Sequence, residues 1–179
     1  MTRKLFLFTL FLILFSAACS KPGPDAVRLA AFDEMYTKMK TCVPESEPQE
    51  GIGLAIHSVS ANQNETIVRI VAYAPAEPAE FNLPVYSLSR GRWLINNKGG
   101  EKDRTYLIDD HCREFKLKDR RPTAGMKIPL AGKIMLDKGQ SFETSLIFPS
   151  VSEKSRVLVL VYGGRTLRHL LWPDERRSD

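Results

Sequence analysis

The chain has 179 residues, with 26 Lys and Arg against 21 Asp and Glu, and a formal charge of +5 at pH 7. So mild an excess, interleaved with acids, argues against nucleic acid as a partner, and the length suits one ordinary domain with its own core. Three histidines, with no Gly-x-Ser-x-Gly elbow and no His-Glu-x-x-His run, leave little material for hydrolytic chemistry.

At the N-terminus Arg3 and Lys4 precede Leu5 to Phe15, an apolar run broken only by Thr9, and small residues then lead to Cys19. This is the layout of a secretory signal. At about 1.5 Å per residue the run reaches about 16 Å, roughly half of a hydrocarbon core about 30 Å thick, too little for a retained span. Ser16-Ala17-Ala18-Cys19 resembles the lipobox of bacterial lipoproteins, although Ser16 stands where leucine is commonest; Ser16 and Ala18 also suit an ordinary signal peptidase. The resemblance implies a signal peptide over 1–18, diacylation of Cys19 with palmitate-type chains, and attachment to the membrane through that lipid. Ser20 after the cysteine, in place of aspartate, implies the outer membrane and a periplasm-facing domain. Loss of residues 1–18 removes Arg3 and Lys4 but no acid, so the +5 charge falls by two to +3.

Residues 19–25 form the tether, because Lys21-Pro22-Gly23-Pro24 resists helix and sheet alike. Leu29, Phe32, Met35, Tyr36 and Met39 then recur at helical spacing, with Asp25 placed as an N-cap, and predict a helix over about residues 26–41 within a segment 26–44. Its polar face mixes Arg28, Asp33, Glu34, Lys38 and Lys40, which favours packing on the following domain over lying on a membrane. Pro44 to Glu50 reads as an acidic loop.

From Gly51 the period becomes two. Ile52, Leu54 and Ile56 alternate, Thr66 to Tyr73 is rich in β-branched residues as in a sheet centre, and Asn62-Gln63-Asn64 joins them as a hairpin. Ala74 to Glu80 reads as a loop, the segment around Pro84 as an edge strand, and Trp93 to Asn96 as a short strand. Arg104 to Ile108 and Cys112 to Leu117 alternate around the polar turn Asp109-Asp110-His111, and the charge alternation from Arg113 to Arg121 suggests the wet face of a strand. Further strands are expected at Ile128 to Leu136, at Ser141 to Phe148 with Phe142, Thr144, Leu146 and Phe148 on one face, and at Arg156 to Tyr162. Thr166 to Trp172 returns after Gly163-Gly164.

About eight or nine short strands after one amphipathic helix predict a mainly β protein, a sandwich or barrel over 51–173, with a polar tail over 174–179. Tyr106 to Asp110, Phe115, Leu136 to Phe142 and Leu146-Ile147-Phe148-Pro149 follow one another as in the immunoglobulin-like domains of bacterial lipoproteins. The chain resembles that family over about 60 residues, which implies an immunoglobulin-like β-sandwich without indicating an activity.

Three cysteines are odd in number for an exported chain. With Cys19 given to lipid, Cys42 and Cys112 remain as a pair that an oxidising compartment would bridge; free thiols or metal ligation are the alternatives. The bridge would close a loop of roughly 70 residues and contribute about 4 kcal/mol in the chain-entropy model.

Asp109, Asp110, His111 and Cys112 are the one cluster with metal or catalytic chemistry, but strand alternation would point neighbours to opposite faces and prevent their convergence. A structural turn plus disulfide is the expected role. His57 and His169 read as strand side chains. Tyr73, Tyr86, Trp93, Tyr106, Tyr162 and Trp172 offer aromatic surface for a ligand or for core packing. These features predict a non-catalytic, lipid-anchored envelope protein that binds another envelope protein as an accessory or assembly module, with no cofactor and no metal. An inhibitor of an exogenous hydrolase is the alternative reading, and a metal-binding or enzymatic domain centred on Asp109 to Cys112 the third.

Overall fold

The computed structural model describes residues 24–46, 51–84, 86–89, 92–95, 104–122, 132–171 and 175–176. It comprises two compact units, Met1–Glu34 and Met35–Asp179. Helix α1 (Pro24–Met39) straddles this boundary, so its last residues belong with the β domain. The helix begins one residue before the expected cap. Pro24 suits a first helical position because its missing N–H would have no intrahelical partner there, and Asp25 falls inside the first turn.

The β domain is a sandwich of two four-stranded antiparallel sheets. The first has the order β1 (Gly53–Ala61), β2 (Glu65–Tyr73), β10 (Ser141–Pro149), β8 (Asp119–Pro122). The second has the order β12 (Arg165–Leu170), β11 (Val157–Tyr162), β6 (Thr105–Asp109), β7 (Glu114–Lys116). Two ribbons complete the described strands: β3 (Ala79–Asn82) with β9 (Lys133–Leu136), and β4 (Tyr86–Ser89) with β5 (Arg92–Ile95). The described strands thus exceed the eight or nine expected; the two sheets account for the sandwich and the ribbons are additions.

One apolar cluster joins the sheets. Val68, Ile70 and Ala72 of β2 and Phe142, Leu146 and Phe148 of β10 meet Leu107 of β6 and Leu158, Leu160 and Tyr162 of β11. In β1 a bulge at His57 shifts the register between Ile56 and Ser58, so Val59 and Ala61 stay on the core side with Leu54 and Ile56 despite the odd spacing. His57 itself is exposed.

Turn chemistry sets the hairpins. The Asn62 side-chain Oδ1 accepts the N–H groups of Asn64 (2.9 Å) and Glu65 (2.8 Å), closing β1 onto β2. Gly163 and Gly164 both adopt positive φ, 54° and 78°, as a two-residue turn matched to strand twist requires.

Two readings are corrected. Ala79–Asn82 is a strand, not the end of a loop, and pairs with β9 through Phe81↔Ile134. The alternating segment Arg113 to Arg121 is not one strand: β7 pairs with β6, the chain crosses between sheets at Leu117 and Lys118, and β8 pairs with β10. Leu117 is buried at the crossing. The strands expected at Ile128 and Leu130, the turn at 97–102 and Trp172 lie outside the described residues.

All six residues of β11 are buried. Leu158, Leu160 and Tyr162 face the inter-sheet core, so Val157, Val159 and Val161 are covered on the opposite face, together with Tyr106 and Ile108. Three ties hold residues of the helix end and the following segment to that sheet. The Tyr36 ring lies 3.6 Å from the Arg168 guanidinium carbon, and Arg168 is the cross-strand partner of Val159 on this outer face. The Thr166 N–H donates to Ser46 Oγ at 3.2 Å, and Cys42 is disulfide-bonded to Cys112 with Cα atoms 5.7 Å apart, 70 residues away in sequence. Met39, between these ties, has no exposed surface.

Because Leu160 is fully buried in a strand packed on both sides, Leu160→Ala is expected to cost about 2–5 kcal/mol and lower Tm by about 5–15 °C. His57→Ala, at the exposed bulge, should stay within about 0.5 kcal/mol. Thermal unfolding of the oxidised proteins measures both; equal effects would contradict the placement of the two residues.

Candidate functional site

The β6–β7 turn gathers the residues that the sequence marks for chemistry. The Cys112 N–H donates to the Asp109 carbonyl (2.9 Å) and the Asp109 N–H to the Arg113 carbonyl (3.2 Å). Cys112 has φ 59°, a left-handed conformation uncommon outside glycine, Asn and Asp.

Asp109 faces the core beside its cross-strand partner Leu158 and is completely buried, so its charge requires compensation. Oδ1 accepts the backbone N–H groups of His111 and Arg113, each at 3.0 Å. Oδ2 accepts Arg113 Nε (2.9 Å), Arg113 Nη2 (2.5 Å) and Ser155 Oγ (2.9 Å). A carboxylate offers about four lone-pair sites, and these donors take all of them. Burial alone would raise the pKa of this carboxyl; the Arg113 side chain, the Arg113 N–H, Ser155 and the His111 N–H outweigh it and hold the pKa below the usual carboxylate value. Asp110 Oδ2 accepts the Arg156 N–H at 2.9 Å, and its Oδ1 lies 3.1 Å from His111 Nδ1.

Ligand-type atoms of Asp109, Asp110 and His111 lie within 4.8 Å of one another. Strand alternation had argued against such convergence. The residues turn, however, and do not continue the strand, which brings three of the four together while Cys112 is taken by the disulfide. To bind an ion there, Asp109 would have to release Arg113 and Ser155. The arrangement is that of a turn lock, in which charge and donors fix the hairpin tip that carries Cys112.

A second recess lies at the end of the sandwich where the β1–β2 turn meets the connection after β10. A cleft of about 520 Å³ is lined by Ala61 to Gln63, Ser150 to Glu153 and Arg176. Its polar groups are largely engaged: Ser150 Oγ donates to the Asn62 carbonyl (2.6 Å) and the Val151 N–H to Thr66 Oγ1 (3.1 Å). Arg176 donates Nη1 to the Ser152 carbonyl at 3.1 Å and Nη2 to the Ser155 carbonyl. Glu175 sits 2.9 Å from His169 Nε2 through either oxygen, and Arg176 forms a parallel bridge with Ala61. The polar tail expected over 174–179 is therefore anchored at these two residues and clasps β1, β12 and the β10–β11 connection together.

The remaining candidates divide. Tyr106 and Tyr162 are buried; the Tyr162 hydroxyl donates to the Asn82 carbonyl at 2.7 Å, and burial raises its pKa. Tyr73 is 44% exposed, with its ring against Gly53. Tyr86 and Trp93 lie on the two strands of the β4–β5 ribbon, where Trp93 pairs with Leu88, two residues from Tyr86. Cys19 lies outside the described residues. Ser155, Glu175 and Arg176 have no motif around them and are found only through their three-dimensional contacts. No protein-family model matches the chain, and no curated protein matches it.

Asp109→Asn is expected to cost about 1.5–3 kcal/mol at pH 7, since it removes the charge that the Arg113 and Ser155 donors serve. The folded pKa of Asp109 lies below the unfolded reference of 3.8, so the unfolded chain takes up the proton first. The wild-type advantage is complete above that reference and is lost as pH falls through the folded value. Urea unfolding at pH 7 and pH 3 should show the gap between wild type and variant shrinking at pH 3; an equal gap at both would remove charge from the explanation.

Proposed function

We propose that the chain is an exported envelope lipoprotein, anchored through diacylated Cys19, whose immunoglobulin-like sandwich serves as a non-catalytic binding or accessory module for another envelope protein. The observation that carries this reading is the pairing of Cys42 with Cys112. A bridged pair favours an oxidising compartment, and it leaves Cys19, directly after the apolar run, as the unpaired cysteine. Two or more acyl chains hold a protein firmly, whereas one binds marginally.

Two further observations support a binding role over a catalytic one. The carboxylate best placed for chemistry, Asp109, is consumed by hydrogen bonds within the turn. The end cleft is lined by groups that mostly serve one another. Two antiparallel sheets on one core support the immunoglobulin-like reading at the level of architecture.

Radiolabelled palmitate should enter the wild-type chain expressed in a bacterium with lipoprotein processing, and should fail to enter Cys19→Ala. Equal labelling of the two proteins, or none in either, would refute the anchor. Crosslinking on intact cells, followed by identification of the crosslinked product, tests the partner role, which fails if the wild-type domain yields only monomer.

A further inference from the structure

We propose that the end cleft binds a peptide carboxylate: it takes the C-terminal end of a polypeptide, with the carboxylate on the Arg176 guanidinium and the adjoining peptide group on Asn62 and Gln63. The inference rests on the reading of the domain as a binding module and names the part of a partner that it would hold. Acylation of Cys19 plays no part in it.

The guanidinium is the group in this cleft that lacks a counter-charge. Among the described residues its bonds run to neutral main-chain groups only, Nη1 to the Ser152 carbonyl and Nη2 to the Ser155 carbonyl. Its Nε is buried with no hydrogen-bond partner. Burial, and after it the repulsion of Arg156, hold its pKa below the usual arginine value, against the attraction of Glu153 and Asp110. Asp110 is itself committed elsewhere, to the Arg156 N–H and beside His111. A partly desolvated cation in this position is stabilised by an anion that enters next to it.

The cation is also held in place before a ligand arrives. The main chain of Arg176 forms the parallel bridge with Ala61, and the two carbonyls fix the side chain. These bonds use only part of the guanidinium's donor fork, and the parallel N–H groups of such a fork match the two oxygens of a carboxylate. A donor fixed in advance loses less freedom on binding.

Charge and polarity choose among anions. Arg176 is the one cation that lines the cleft, and Glu153, exposed, lines it too. A singly charged carboxylate balances that guanidinium, whereas a phosphate dianion would bring surplus negative charge close to Glu153. Asn62 spends Oδ1 on the N–H groups of Asn64 and Glu65, which leaves its Nδ2 donors outside the described bonds. Gln63 is exposed, and no described bond engages its amide, so it offers a donor and an acceptor together. A peptide group requires that combination. Ala61 and Val151, both buried, supply the apolar part of the lining, where a small side chain fits. The volume of about 520 Å³ falls in the range of small-ligand clefts, about 300–1,000 Å³, and capture of a chain end through its carboxylate is a recurrent mode of peptide recognition.

Titration of the ¹⁵N-labelled full chain in mild detergent, followed by NMR, tests the site with N-acetyl-alanyl-alanine, its C-terminal amide and inorganic phosphate. The free acid should shift the Arg176 Nε–H and the side-chain amides of Asn62 and Gln63 along one saturable curve, with Kd at or below about 1 mM. The amide and phosphate should bind about tenfold more weakly or less. Arg176→Gln should abolish the response. Because that change also removes the bonds to Ser152 and Ser155, Gln63→Ala gives an independent check: it should weaken binding of the acid about threefold and leave Tm unchanged. Equal binding of acid and amide, phosphate binding as tight as the acid, undiminished binding by Gln63→Ala, or no saturable shift at these three side chains would each overturn the site. Any of these results beside a crosslinked partner on intact cells would strike the cleft alone and leave the binding role standing.

Discussion

The structure depends on one constraint: β11 is buried on both faces. A strand of alternating Val and Leu with Tyr at its end has no polar face to turn to water, so the sheet that holds it must be covered twice. One cover is the other sheet, through Leu158, Leu160 and Tyr162. On the other face lie the ties to Tyr36 and Ser46, with the disulfide at the hairpin tip beside them. The ties of Tyr36, Cys42 and Ser46 to this sheet are consistent with that demand of its composition. The chain-entropy contribution of a loop this long, about 4 kcal/mol, is comparable with the loss expected from emptying one core leucine site, which shows how much one covalent tie can weigh in a domain of this size.

The acidic turn serves the same end. A buried carboxylate is costly unless its oxygens are satisfied, and Asp109 is satisfied by donors from three places: its own turn, the Arg113 side chain and Ser155 across the sheet. The turn is rigid for that reason, and rigidity at the tip allows Cys112 to hold an unfavourable positive φ while reaching Cys42. Arg113 is half-exposed, so its pairing with Asp109 avoids the full desolvation cost of a buried ion pair. A sequence cluster that resembles metal-binding chemistry is thus accounted for by the demands of the fold.

Much of the fold is legible in the sequence because apolar periodicity reports burial directly. Phe142, Thr144, Leu146 and Phe148 do share the core face of β10, the β1–β2 and β11–β12 hairpins turn where Asn and Gly-Gly stand, and Cys42 and Cys112, the pair expected with Cys19 set aside, are bonded. Three features are not legible, for separate reasons. β3 is four residues long with one core side chain, Phe81, and its partner strand lies some fifty residues away. The polarity alternation of Arg113 to Arg121 runs across the change of sheet and misreads β8, where Arg120, on the polar side with Glu114, Lys116 and Lys118, is buried and not on a wet face. Ser155 reaches Asp109 across 46 residues, and Arg176 binds main-chain carbonyls, which carry no side-chain signature at all.

The placement of these ties also bears on where a partner can act. At the end of the sandwich, Glu175 and Arg176 close the gap between β1, β12 and the β10–β11 connection, and the cleft residues Ser150, Asn62 and Arg176 bond neighbouring main chain and turn groups: Ser150 the Asn62 carbonyl, Arg176 the Ser152 and Ser155 carbonyls, and Asn62 the Asn64 and Glu65 amides. At the opposite extreme, β1 carries a bulge at His57, a device that twists an edge away from strand addition. The edge of β12 has no such bulge: its register with β11 runs unbroken from Arg165 to Leu170, and the protection described for its Thr166 amide comes from Ser46. Among the described edges, β1 is therefore bent by its bulge, whereas β12 is regular but lies beneath Ser46 at Thr166 and Glu175 at His169.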